Sequence, residues 1–122
     1  MIDVAVIGVG QTRYGMFPDR TLKELFYEAA KNAFQDVDKG FNPQEVEEAF
    51  VGTLSTGGAQ LGNFAPLMME NAGMIGASAR HVENACASSG FAMRDAIAAI
   101  ASGRSKITVA CGIEKMSCLL YT

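Results

Sequence analysis

Cys86 stands in the run Val82-Glu83-Asn84-Ala85-Cys86-Ala87-Ser88-Ser89-Gly90, where a short extended stretch gives way to an Ala-rich one. Arg80 to Asn84 reads as the end of a strand. Ser88 to Ser102 reads as a helix that stops at Gly103. A thiol in the first turn of a helix meets unpaired backbone N–H groups and the positive end of the helix dipole. Both favour the thiolate and so lower the thiol pKa. The same N–H groups can stabilise the oxyanion formed when a thiolate attacks a carbonyl. This is the local chemistry of an acyl acceptor. Cysteine also packs as a small hydrophobe, and position alone leaves both roles open for Cys86.

Other residue patterns offer less. Gly8-Val9-Gly10 follows an apolar run, but the third glycine of a dinucleotide fingerprint is replaced by Arg13, which argues against a nicotinamide site. The two glycines are expected to permit a tight turn. His81 could serve as a base for Cys86, yet five residues of strand place the two on opposite faces. Glu83 is expected to make a structural hydrogen bond. Cys111, in Ile107-Thr108-Val109-Ala110-Cys111, reads as a buried small residue, and Cys118 carries no assignment. The three cysteines and one histidine show no metal-ligand spacing, so no metal is expected. Met68, Met69 and Met74 are expected in the core. Glu114 and Lys115 are expected to shape a turn beside the site.

The elements that would position Cys86 follow from periodicity. Ile2 to Val9 is nearly continuous apolar sequence, as in a strand covered on both faces. Thr21 with Glu24 makes a capping box before Leu22, Leu25, Phe26, Ala29, Ala30, Ala33 and Phe34, which share one helical face. Pro43 to Glu48 adds a helical turn, and Ala49 to Leu54 a second strand. The Gly-rich stretch Ser55 to Gly62 leads to a helix over 63–72 with Phe64, Leu67 and Met68 on one side. After Cys86, Phe91, Ala92, Ile97, Ala98 and Ile100 are expected inward, with Arg94 and Asp95 outward. Lys106 to Cys111 is the fourth strand. Alternating strands and helices predict one α/β domain over 1–122, a layered, mostly parallel sheet with helices on both faces. Ligands gather at the carboxyl ends of such strands, where Cys86 falls.

The segments Asn84-Ala85-Cys86-Ala87-Ser88-Ser89-Gly90 and Gly112-Ile113-Glu114-Lys115-Met116-Ser117, with Val4 to Gly15 at the start, resemble the amino-terminal half of thiolases. The likeness is to the archaeal and sterol-carrier-type acetyl-CoA acetyltransferases, and it runs the length of the chain. It implies a thiolase-like fold that is incomplete at the C-terminus, with Cys86 as the nucleophile that carries the acyl group as a thioester. It implies coenzyme A thioesters such as acetyl-CoA as substrates, with no cofactor, in lipid metabolism. Family members are longer, and their second half supplies a catalytic His and a second Cys that the 122 residues lack. The chain is therefore expected to be a fragment, inactive alone. A homo-oligomer or a companion thiolase half is expected as partner, and an OB-fold and zinc-ribbon protein is possible by the same likeness. The region around Gly57, Gly58, Gln60 and Gly62 corresponds to one that approaches the dimer partner in thiolases. A non-catalytic module that binds acyl-CoA or scaffolds a complex is the alternative. A hydroxymethylglutaryl-CoA synthase relative would also use a Cys nucleophile, but its acid residue finds no match.

Composition fits this frame. Apolar residues are 49% and charged ones 19%, a globular mixture with enough apolar sequence for a core. The net charge of −3, without a basic cluster, argues against nucleic acid. No apolar run is long enough to span a bilayer. An odd number of cysteines without a secretory leader predicts reduced thiols and a cytoplasmic setting.

Overall fold

The computed structural model describes residues 3–54, 60 and 62–116. Helix α1 spans Leu22–Gln35 and begins as its sequence predicts. The Thr21 hydroxyl accepts from the Glu24 amide, and the Glu24 carboxylate accepts from the Thr21 amide. A 3-10 turn, Pro43–Glu45, leads into strand β1, Glu48–Gly52. Helix α2 is Phe64–Asn71, β2 is Ser78–Val82, α3 is Ser88–Ala101 and β3 is Thr108–Gly112. Gly103, at φ 72°, ends α3 in the left-handed region that glycine enters without strain.

The three strands are parallel in the order β2-β1-β3, with Glu48 beside Ser78 and Thr108, and Gly52 beside Val82 and Gly112. Every residue of β1 is buried, as its central place requires. Its side chains alternate between two cores. Ala49 and Val51 join Ala79, Val109 and Cys111 under α1 and α2, with Phe26, Phe64, Met68, Met69 and Met74 filling that layer. Phe50 points the other way, with Val82 and Ala110, onto Ala92, Ala96 and Ala99 of α3. Helices thus cover both faces of a parallel sheet.

Four expectations need correction. The segment over 2–9, predicted as a strand, has no ladder over its described residues. It lies along α1 instead: the Val9 amide donates to Asp36 Oδ2 at 2.9 Å, and Asn32 Nδ2 donates to Gln11 O at 3.2 Å. Gly8 and Gly10 serve this close approach rather than a tight turn. A Cβ on Gly10 would stand 2.2 Å from Ala29 O, and one on Gly8 2.4 Å from Ala33 O. The inward face of α3 is Ser88, Ala92, Ala96 and Ala99, not the larger residues; Ile97 and Ala98 are exposed, and Phe91 and Ile100 only half-buried. Small residues let the helix backbone approach the sheet closely, which the apolar count alone does not reveal. On α2, Leu67 is exposed, and Phe64, Ala65, Met68 and Met69 are the buried side.

Among the described residues, no helix is long and apolar enough to cross a membrane.

Candidate active site

Strand β2 ends at Val82, and the chain turns through Glu83 and Asn84 into a 3-10 turn, Ala85–Ala87, that runs directly into α3. The turn is held by short-range hydrogen bonds. Glu83 Oε1 accepts from the Ala85 amide at 2.7 Å, the structural role expected of it. The buried Ser88 hydroxyl accepts from the Asn84 amide at 2.8 Å and donates to Ala85 O at 2.7 Å. The Ala87 amide donates to Asn84 O at 2.9 Å. Ala85 adopts φ 47°, the left-handed region that a residue with a Cβ rarely enters. Among the described non-glycine residues it alone does so. Backbone strain of this kind persists where the surroundings over-determine it, and here it immediately precedes Cys86.

Cys86 is exposed, and its amide finds no acceptor among the described residues. The thiol borders a cleft of about 1100 Å³. One wall is the segment over 4–17 with α1; the other is β3 and the Met93, Ile97 and Ile100 side of α3. The lining is mainly apolar, with Gly112 and Glu114 near the mouth of the sheet.

The first turn of α3 rests on glycine. A Cβ added to Gly52 would lie 2.6 Å from the Ser88 carbonyl carbon and from the Ser89 amide nitrogen. One added to Gly112 would lie 2.7 Å from Ser89 Cβ. These paired strand ends therefore set how deeply the Cys86 turn sits over the sheet. Sequence reasoning did not single them out. The signal was present: Ala-Phe-Val-Gly and Val-Ala-Cys-Gly both put glycine at a strand end, a mark of close backbone approach.

His81 is not brought to Cys86. Its Nε2–H donates to Thr53 O at 3.0 Å, and it does not line the cleft. Cys111 does border the cleft, half-covered, with its thiol 3.7 Å from Phe50 O. The apolar atoms packed around it push its pKa up to about 12, so it stays a neutral thiol. Among the described residues no cluster of His, Cys, Asp and Glu could hold a metal ion. Gly57, Gly58 and Cys118 lie outside the described residues, whereas Gln60 is described and buried.

At the opposite end of the sheet the structure holds a buried carboxylate that sequence reasoning missed. Glu48, 5% exposed, accepts from Arg104 Nε at 2.7 Å and from the Ser105 hydroxyl, with Arg80 at 3.2 Å. It ties β1 to β2 and to the chain after α3, far from Cys86.

Comparison with known proteins agrees with this architecture. The model of the family described as thiolase, N-terminal domain, matches residues 2–122. An acetyl-CoA acetyltransferase of Methanothermobacter thermautotrophicus is 37% identical over 118 residues, covering 96% of this chain and 30% of that protein. One of Methanocaldococcus jannaschii is 37% identical over 120 residues, with the same coverage of each. The chain thus spans about a third of the length of these relatives. Among solved structures, the acetyl-CoA acetyltransferase of Syntrophomonas wolfei superposes with a TM-score of 0.74 at 22% identity, over 85% of this chain and 27% of that one. A 3-oxoacyl-(acyl-carrier-protein) synthase III of Aquifex aeolicus gives 0.72 at 26% identity, over 84% and 32%. Sequence and fold together place the chain in the thiolase family, within its N-terminal domain.

Proposed function

We propose that Cys86 is the acyl-accepting nucleophile of a coenzyme A acyltransferase of the thiolase type. The observation that carries this reading is the exposed thiol at the entry to α3, beside an amide with no described acceptor. The thiolate attacks the carbonyl carbon of an acyl-CoA, forming a carbon–sulfur bond. The negative charge that develops on the carbonyl oxygen is met by N–H groups of the turn, the Cys86 amide among them. Collapse breaks the bond to coenzyme A, which leaves as a thiolate and takes up a proton, and the acyl group remains on Cys86 as a thioester. A second acyl-CoA, deprotonated beside its carbonyl, attacks that thioester to give a 3-oxoacyl-CoA; thiolysis runs the same steps backwards.

Incubation with acetyl-CoA followed by mass spectrometry tests the first step. An acetyl increment mapped to Cys86, and lost in Cys86→Ser, is expected. An unmodified Cys86 after prolonged exposure overturns the reading and leaves a non-catalytic thiolase-like module in its place. Turnover by these 122 residues alone is expected to be negligible, because the sole histidine is committed to Thr53 O. Sustained acetyl-CoA formation from acetoacetyl-CoA and coenzyme A would contradict that.

A further inference from the structure

We propose that Glu114 is a positioning residue that fixes the Cys86 turn through the strand ends beneath it. Hydrogen bonding between β1 and β3 continues past the ladder: the Ile113 amide donates to Gly52 O at 3.0 Å. One step further on, the Glu114 carboxylate takes over as acceptor, receiving the Leu54 amide on Oε1. Its Oε2 accepts from Gln60 Nε2 at 2.6 Å, and the same amide nitrogen donates to the buried Thr53 hydroxyl. Thr53 is completely buried and Gln60 nearly so. One carboxylate thus fastens β1 just beyond Gly52, β3 just beyond Gly112, and the approach to α2. Gly52 meets the Ser88–Ser89 backbone, and Gly112 the Ser89 side chain, with no room to spare. A shift of either strand end passes directly into the turn that holds the Cys86 thiol and amide. Each acceptor oxygen faces a donor; while Gln60 holds its amide as it stands, a glutamine at 114 cannot reproduce this, since either orientation sets its NH2 against another N–H.

The test uses a compensating swap. In Glu114→Gln either one donor faces another or Gln60 must turn its amide over, carrying its NH2 to where its carbonyl oxygen stood, so the turn loosens. In Gln60→Glu/Glu114→Gln the glutamine carbonyl accepts from Leu54, its NH2 donates to the new carboxylate, and the Thr53 hydroxyl donates there too. The readout is the rate at which iodoacetamide alkylates Cys86, mapped by mass spectrometry at a temperature where every variant is folded by circular dichroism. Glu114→Gln is expected to slow it roughly tenfold and the swap to restore it, since the thiolate is the reacting species and a displaced turn no longer presents its unpaired N–H groups to the sulfur. An unchanged rate in Glu114→Gln, or a slow rate that the swap leaves slow, overturns the proposal. Should Glu114→Gln fail to fold, the swap alone decides: folded with native reactivity supports the role, folded and slow refutes it. Acetyl-CoA uptake measured in parallel depends on the acyl-acceptor reading. If the native chain takes up no acetyl group, that reading falls while the alkylation arm still judges Glu114.

Discussion

Two thiols border one cleft and differ in what surrounds them. Cys86 is open to solvent at the start of a helix, whereas Cys111 is wrapped by apolar atoms that push its pKa up to about 12. Since the thiolate is the reacting species, iodoacetamide at neutral pH should label Cys86 at least about tenfold faster than Cys111. Equal labelling in peptide maps would mean that the cleft does not distinguish them. The carboxylate of Glu48 makes a pH-dependent contribution of the opposite kind. Its pKa is lowered, first by the Arg104 hydrogen bond and then by the Ser105 hydroxyl, against desolvation, with the charges of Arg104 and Arg80 helping. A carboxyl group that is more acidic when folded stabilises the fold above its unfolded pKa. That contribution is lost as pH falls through the lower, folded value. Glu48→Gln should therefore cost roughly 1–3 kcal/mol near neutral pH, because buried hydrogen bonds to a charged group are lost. The gap from the native chain should close on acidification below about pH 4.5, the ordinary value for this side chain. Urea midpoints measured across that range check it, and a gap that widens in acid would contradict the assignment.

At the scale of elements, the two strand-end glycines make the sharpest demand. In Gly52→Ala or Gly112→Ala the new methyl group meets α3 at under 3 Å, and at Gly52 the neighbours are backbone atoms that cannot rotate away. Overpacking of this kind costs on the order of 1–3 kcal/mol, so the thermal midpoint should fall and Cys86 reactivity with it. Ile97→Ala, at a side chain 45% exposed, should change stability by no more than about 0.5 kcal/mol, whereas Ala96→Leu should destabilise clearly. The contrast checks the corrected face of α3 by thermal unfolding. It also shows what the sequence could convey. The capping box of α1, the stop at Gly103, the turn at Pro43 and the position of Cys86 at a strand-to-helix junction were legible, because each is a local rule acting on neighbouring residues. The face of α3 was not, because apolarity favours Ile97, and only a glycine-floored sheet explains why alanine goes inward. Glu48 was hidden for a related reason. Its partners Arg80 and Arg104 are 32 and 56 positions away, and nothing near it in sequence announces burial.

Across the whole molecule, the least settled surface is the one that borders the cleft. Val6, Ile7 and Val9 are 69, 56 and 67% exposed, although their run is as apolar as a strand buried on both faces. On the far wall, Met93 and Ile97 are also exposed. Strand β3 pairs with β1 on one side only, and among the described residues nothing completes its other edge. Contiguous exposed apolar surface and an open sheet edge both favour association. The chain is therefore expected to self-associate, or to take up a companion thiolase half when one is supplied. Light scattering across a dilution series should give a mass above 12.9 kDa that falls on dilution. Replacing Val6 and Val9 together with Asp puts charge on that wall, and should shift the native chain toward monomer without disturbing the β1–β2–β3 core. A monodisperse monomer at every concentration would mean that this wall is satisfied within one chain.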